Sequence, residues 1–220
     1  MFENIEWKKI MKELSIPLLA IASSFIIGTI VLLATGYPPV ETYGALLKGA
    51  FGGLNNISDT LLASTPLIFT GLAVAFAFRC GLFNIGAEGQ IIVAGLVAAW
   101  VGTWTGLPLI IHIPLTLISA ALAGALWVFI PAFLKAKLGV HEVITTIMFN
   151  YIAFSFTAYF NLKVLAKPGQ IQTPDIESSA YLWRFSNWVE MHSYLNLGFI
   201  LALLVAGFIY YLLWKTTIGY

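Results

Sequence analysis

Residues 79–90 read RCGLFNIGAEGQ, a polar string with three glycines that separates two apolar runs. The apolar run that follows, residues 91–104, has 14 residues. At about 1.5 Å of rise per residue this is roughly 21 Å of helix, whereas a hydrocarbon core is about 30 Å thick. A membrane crossing at this point therefore has to include part of the string, back to about Leu82. This places Asn84 and Glu88 at or just inside the membrane edge.

The polar string has two interpretations. An amide or a carboxylate at this depth is costly unless it has partners or water. Transporters use short apolar segments interrupted by glycine to present backbone dipoles to a solute, which makes Asn84, Glu88 and Gln90 candidate pathway residues. Alternatively, the polar side chains join helices to one another at the cytosolic edge. The physical argument leaves both interpretations open.

The composition excludes several classes of protein. Hydrophobic residues make up 60% of the chain and charged residues 10%, which is typical of a polytopic membrane protein. The 11 basic and 10 acidic residues provide no electrostatic argument for nucleic acid. One cysteine and three scattered histidines lack metal-ligand spacing, so we expect no metal site. No phosphate-binding glycine loop is present, and no convergent catalytic set is visible, so we expect a protein that is not an enzyme and carries no cofactor.

Apolar runs predict an all-α fold with about six transmembrane helices, one of them interrupted by glycine. The predicted spans are 16–34, 61–78, 82–104, 109–134, 143–162 and 195–214. Residues 1–15 predict an amphipathic helix on the cytosolic surface, and residues 40–60 predict a re-entrant or surface element. Residues 163–194 are predicted to form an extracellular loop, in which aromatic residues are interleaved with charged ones as in an interfacial helix or lid. The transmembrane domain is thus expected to occupy residues 16–214.

The distribution of lysine and arginine predicts the orientation in the plasma membrane. With the N-terminus inside, seven basic residues lie on the cytosolic side and four on the other. The cytosolic residues are Lys8, Lys9, Lys12, Arg79, Lys135, Lys137 and Lys215, and the external ones are Lys48, Lys163, Lys167 and Arg184. This asymmetry favours a multi-pass protein with both termini in the cytosol.

Polar residues elsewhere in the spans also have two interpretations. Asn150 lies in the fifth predicted span, where an amide usually marks a hydrogen bond between helices, although its depth also suits a solute pathway. Glu142 either begins a helix and complements its dipole or, with His141, belongs to a functional cytosolic loop. His112, beside Pro114, is interpreted as an interfacial or packed histidine rather than a ligand.

Four stretches carry a resemblance to a known family. Residues 36–39 (GYPP), 65–76 (TPLIFTGLAVAF), 81–90 (GLFNIGAEGQ) and 139–152 (GVHEVITTIMFNYI) closely resemble the membrane subunits of simple-sugar and nucleoside ABC importers. These belong to the ribose and branched-chain amino acid permease superfamily. The string is nearest to the nucleoside branch, and His141 stands where asparagine is expected.

The resemblance implies that this chain is one subunit of a multi-subunit transporter. Two permease subunits, identical or related, would form the pathway by alternating access, and an extracellular solute-binding lipoprotein would deliver the solute. ATP and magnesium would be bound by separate cytosolic ATPase subunits. On this chain, the expected pathway residues are Asn84, Glu88, Gln90 and Asn150, and the expected cytosolic coupling residues are Lys135, Lys137, His141 and Glu142.

The resemblance also implies a permease longer than this chain, with a main ATPase-docking segment after residues 216–220 (TTIGY). We therefore expect the 220 residues by themselves to transport nothing. An ion-coupled secondary transporter or channel is the alternative function, and Glu88 is its only candidate for an intramembrane ionisable residue. A membrane scaffold is a further alternative, although it would not require a polar string inside a short span.

Overall fold

A computed structural model describes residues 7–167, 169–170, 172–185 and 194–219. Over these residues the chain forms seven α-helices and no strand, apart from one isolated bridge between Arg184 and Asn196. The helices are α1 (Trp7–Ala34), α2 (Pro39–Phe51), α3 (Leu54–Arg79), α4 (Ala87–Gly102), α5 (Leu109–Leu138), α6 (Glu142–Phe160) and α7 (Leu197–Lys215). The all-α prediction is confirmed.

Five of these helices are long and apolar enough to cross a membrane, which makes the chain a multi-pass membrane protein. They are α1 from Ser15 onward, α3, α5, α6 with the π-helical turn that follows it, and α7. The remaining predicted span, the third, corresponds to α4, which has 16 residues. Its length is about 24 Å, which is less than the thickness of a hydrocarbon core.

The described residues form two compact units that divide after Ile57. In the first unit, α1 continues through the predicted boundary at residue 15 without a break. The Tyr43 hydroxyl of α2 donates a hydrogen bond of 2.9 Å to the Phe25 carbonyl oxygen of α1, and the two rings meet edge to face. The 13 residues of α2 are too few to span a membrane, as the sequence predicts for this region. Residues 1–6 of the predicted N-terminal segment lie outside the described residues.

In the second unit, α4 packs against α5 and α6. The buried apolar residues include Val93 and Leu96 on α4 and Ala153 on α6. Trp127 of α5 joins this packing, because its ring contacts the Phe149 ring of α6 at 5.6 Å between centroids and its Nε1 donates to the Phe149 carbonyl oxygen. The short helix α4 is thus covered on two sides by longer helices.

The described part of the predicted external loop folds back onto the C-terminal end of α4. The Glu177 amide donates a hydrogen bond of 2.8 Å to the Gly102 carbonyl oxygen. A Cβ on Gly102 would lie 2.9 Å from a methyl carbon of Ile176, so the loop approaches as closely as the absence of a side chain allows. Residues 186–193 of the predicted loop lie outside the described residues.

His112 connects this loop to α4 and α5. Its side chain is fully buried, in agreement with the interpretation as a packed histidine. The Nε2 atom lies 2.9 Å from the Val101 carbonyl oxygen, and Nδ1 lies 2.7 Å from Ser179 Oγ. Because a carbonyl oxygen only accepts, Nε2 carries the hydrogen, and in a neutral ring Nδ1 accepts from the Ser179 hydroxyl. One side chain therefore joins two helices and the loop.

The substitution His112→Ala tests this connection. It removes the hydrogen bonds of the buried imidazole to the Val101 carbonyl oxygen, which keeps its bond from the Trp104 amide, and to the Ser179 hydroxyl. It also leaves a cavity, and we expect it to lower the stability of the fold by about 2 kcal/mol or more. The measurement is the midpoint of thermal unfolding in detergent. The control is Ser119→Ala on the same helix, because among the described residues Ser119 Oγ bonds only to the Thr116 carbonyl oxygen of its own helix. Equal shifts for the two variants would contradict the connecting role.

Candidate functional site

The polar string begins with a left-handed glycine that ends α3. Gly81 has φ +72°, its amide donates to the Phe78 carbonyl oxygen at 3.0 Å, and the Leu82 amide donates to Ala77 at 2.9 Å. This pair of bonds is the Schellman arrangement that commonly closes a helix. Residues 82–86 then run without helical structure. In the third predicted span, which reaches back to about Leu82, the helix itself begins at Ala87.

Asn84 makes a local turn within the string. Its Oδ1 accepts from the Gly86 amide at 3.0 Å and from Gln90 Nε2 at 3.1 Å. Such a turn competes with helical hydrogen bonding, which keeps residue 84 out of α4. Asn84 and Glu88 consequently do not share a helix face, which a continuous helix would have given them. Within the described residues, Asn84 Nδ2 and Gln90 Oε1 make no hydrogen bond.

Two side chains of α6 hold the string in place. Asn150 is buried, its Nδ2 donates to the Ile85 carbonyl oxygen at 3.0 Å, and its Oδ1 accepts from the Gly89 amide at 2.9 Å. Thr146 Oγ1 accepts from the Ile85 amide at 3.3 Å. Gly86, the N-cap of α4, has no side chain with which to bond the first amides of the helix. Asn150 therefore supplies from a neighbouring helix the hydrogen bond that an N-cap side chain normally makes.

The close approach of α6 requires glycine at two positions of the string. A Cβ on Gly89 would lie 2.8 Å from Asn150 Oδ1 and 3.1 Å from Asn150 Cα. A Cβ on Gly86 would lie 3.2 Å from the Cβ of Thr146. The glycines thus permit backbone contact between the string and α6.

A large cavity of about 750 Å³ lies beside the string, within the size range of ligand sites. Its walls are mainly apolar and come from α3, the string, α5, α6 and α7. Its polar lining residues are Asn84, Gln90, Lys135, Glu142 and Thr146. A second cavity of about 630 Å³ extends along α4 and α5 and shares Phe69, Ala73, Gln90 and Val205 with the first. Gln90 therefore lies where the two cavities meet.

The residues expected at the cytosolic coupling loop divide into two groups. Lys135 Nζ lies 2.6 Å from a carboxylate oxygen of Glu142, and both residues line the large cavity. Gly139, with φ +65°, ends α5 between them and allows the chain to turn back into α6. Lys137 and His141 are exposed and lie outside both cavities.

The expected pathway residues differ in whether they line the large cavity. Asn84 and Gln90 line the large cavity, and Asn150 bonds to the backbone behind it. Glu88 is exposed on the first turn of α4 and lies outside both cavities. The sequence analysis did not single out Thr146, although its spacing of four residues from Asn150 on a predicted helix indicates a shared face.

The substitution Asn150→Ala tests whether α6 stabilises the polar string. The substitution leaves the Ile85 carbonyl oxygen and the Gly89 amide unpaired, so we expect a loss of about 1–3 kcal/mol in stability. The midpoint of thermal unfolding measures the effect. The control is Asn161→Ala just beyond α6, because the Asn161 side chain is half-buried and makes no hydrogen bond within the described residues. A smaller shift for Asn150→Ala than for Asn161→Ala would show that the string holds its shape without α6.

Comparison with known proteins gives the family. Residues 56–220 match the family described as "Branched-chain amino acid transport system / permease component". The chain is 46% identical over 213 residues to the guanosine ABC transporter permease protein NupP of Bacillus subtilis, a match that covers 96% of this chain and 61% of the relative. It is 36% identical to the nucleoside ABC transporter permease protein NupB of Lactococcus lactis, covering 95% of this chain and 59% of that protein.

A third relative is named for a different solute. The chain is 35% identical to the glucose ABC transporter permease protein TsgB13 of Haloferax volcanii, over 78% of this chain and 43% of the relative. No solved structure matches the chain. The chain spans about 60% of the length of the two nucleoside relatives. It belongs to the branched-chain amino acid transport system permease family.

Proposed function

We propose that the chain forms part of the translocation pathway of an ABC importer, and that the solute is a nucleoside. The observation that carries the proposal is the large cavity of about 750 Å³, which lies beside a hydrogen-bonded polar string in a membrane-spanning chain of the permease family. The two relatives named for guanosine and nucleosides match 95–96% of the chain. The glucose relative keeps a simple sugar as the alternative solute.

The pathway residues follow from the cavity. Asn84 and Gln90 present amide groups to it, and Asn150 acts from behind by holding the backbone. Glu88 is proposed as a pathway residue at the exposed start of α4, where an acidic side chain complements the helix dipole. We propose that alternating access carries the solute past this segment, from an extracellular binding lipoprotein to the cytosol, with a second permease subunit on the other side of the pathway.

The coupling residues connect the pathway to its energy source. We propose that separate ATPase subunits bind ATP and magnesium and act on the loop that carries Lys137 and His141, whose side chains are exposed. Lys135 and Glu142 flank this loop, form an ion pair and line the large cavity. A displacement of the loop therefore moves part of the cavity wall. The loop is short, so it represents only part of the surface that a stable interface of about 1,200 Å² needs.

The proposed orientation places both termini in the cytosol and residues 172–185 outside. Ser178 is exposed in this segment, whereas Ser179 is bonded to His112. We therefore expect Ser178→Cys, in a Cys80→Ser background, to react in intact cells with a thiol reagent that does not cross the membrane. The control is Lys137→Cys in the same background, on the proposed cytosolic side, which should react only in permeabilised cells. The reverse pattern would overturn the orientation.

The pathway role is tested by uptake in cells that express the complete transporter. Asn84→Ala removes the turn and the partner of Gln90, and we expect nucleoside uptake to fall by about tenfold, equivalent to the loss of one hydrogen bond to a solute. Glu88→Gln keeps the size of the side chain, and we expect a smaller decrease because Glu88 is exposed. Membrane levels, measured by immunoblot, should stay near those of the unsubstituted protein, as they should for the control Asn161→Ala. Expression that falls in step with uptake would make both residues structural.

A further inference from the structure

The amide side chains of Asn84 and Gln90 line the large cavity, and Gln90 also lines the second one. Within the described residues, the donor atom Asn84 Nδ2 and the acceptor atom Gln90 Oε1 make no hydrogen bond, and Gln90 Nε2 keeps a second N–H. We propose that Asn84 Nδ2 and Gln90 Oε1 bind the base of the nucleoside by its hydrogen-bonding edge, which makes these two residues determinants of specificity. The inference rests on the proposed function, because it assigns a recognition chemistry to the same cavity. It goes further in that it assigns recognition to the base rather than to the ribose.

The backbone determines which amide atoms remain free. The Gly86 amide can only donate, so the Asn84 atom that lies 3.0 Å from it is the oxygen. That oxygen also faces Gln90 at 3.1 Å, so the Gln90 atom there is the donor nitrogen. The atoms left over are therefore a donor on Asn84 and an acceptor on Gln90. Because the two carboxamides touch, the free donor and the free acceptor belong to neighbouring groups.

The edge of a nucleobase complements such a pair. Uracil and hypoxanthine each place a carbonyl oxygen beside a ring N–H, so that an acceptor meets Asn84 Nδ2 and a donor meets Gln90 Oε1. A ribose hydroxyl both donates and accepts, and the order of donor and acceptor therefore does not distinguish one sugar orientation from another. The two amides can thus read the polarity of a base edge but not that of a sugar.

The rest of the cavity wall also favours a base. Phe69, Phe76 and Phe83 line the large cavity, and its remaining wall is mainly apolar. The face of a base is apolar and stacks on aromatic side chains with little dependence on its identity. A hexose has hydroxyl groups around its ring, and each would need a polar partner. Besides the two amides, the polar lining residues among those described are Lys135 and Glu142, which pair with each other, and Thr146, which bonds to the backbone of its own helix.

The position of Gln90 makes the contact suitable for passage. Gln90 lines both cavities, so a base bonded to it occupies the junction between them. One pair of neutral hydrogen bonds holds a solute weakly, and a transport pathway requires binding that is weak enough for release. The amide pair therefore acts as a step along the pathway rather than as a storage site.

The first test uses the unsubstituted chain in lipid nanodiscs without any binding protein, so that the discrimination measured belongs to the cavity. Radiolabelled inosine is displaced by unlabelled inosine, uridine, purine riboside or ribose. Purine riboside has neither the carbonyl oxygen nor the adjacent N–H, and we expect it to compete at least about tenfold more weakly than inosine. Uridine should compete like inosine, and ribose should not compete. Equal competition by purine riboside, competition by ribose, or absence of displaceable inosine binding would overturn the proposal.

The second test removes the acceptor. Gln90→Met keeps the length of the side chain, and we expect inosine to bind as weakly as purine riboside while purine riboside itself is unaffected. Gln90→Glu keeps an oxygen acceptor and should retain the preference for inosine. Gln170→Met makes the same change at an exposed residue outside both cavities and should bind like the unsubstituted chain. A preference for inosine that survives Gln90→Met would overturn the role of Gln90.

Uptake by the complete transporter separates this inference from the proposed function. If nucleosides enter the cell and the binding tests show no preference for inosine over purine riboside, the inference that the two amides recognise the base fails, and the importer function stands. If glucose enters and nucleosides do not, the assignment of a nucleoside as solute fails, and the inference fails with it.

Discussion

The fold around α4 depends on one buried side chain, the carboxamide of Asn150. It accepts from the Gly89 amide and donates to the Ile85 carbonyl oxygen, so that it pairs two backbone groups on either side of the start of α4. Unpaired backbone groups are costly anywhere in a protein interior and costlier in a membrane. With this bond in place, the chain can leave α3, run without helical structure for five residues at 82–86 and begin a short helix. The cavity beside residues 82–86 exists because the chain there is not a continuous helix.

Much of the architecture could be predicted from the apolar runs, because length and hydropathy are sufficient to identify a long membrane helix. The start of α5 at Leu109 coincides with the predicted boundary. Pro108 lies directly before it, and proline lacks the backbone N–H that would allow a preceding helix to continue through this position. The start of α3 was harder to predict. Polar residues at 55–60 look like part of a connection, yet the helix extends over them from Leu54. Local composition does not show where helical hydrogen bonds continue.

The candidate site could be predicted in its composition but not in its geometry. The polar string is recognisable in the sequence because glycines, amides and a carboxylate interrupt an apolar region. Residues 82–86 are not helical because two influences act against a helix there: the left-handed Gly81 and the side-chain turn of Asn84. The bond from Asn150 spans 61 residues of sequence to Gly89. No local sequence pattern can predict a contact between residues so far apart along the chain.

The hydrogen bonds at the two ends of α4 have a mechanical consequence. One end is joined to α5 and the external loop through His112 and Gly102, and the other end is joined to α6 through Asn150. Sliding α4 against either neighbour would break one of these bonds. The bonds therefore hold α4 against α5, which lines both cavities, and against α6, which lines the larger one. The opposite wall consists of α3 and α7, whose ends meet where Arg79 lies 5.6 Å from the Trp214 ring. The width of both cavities therefore depends on where α3 and α7 lie relative to α4 and α5.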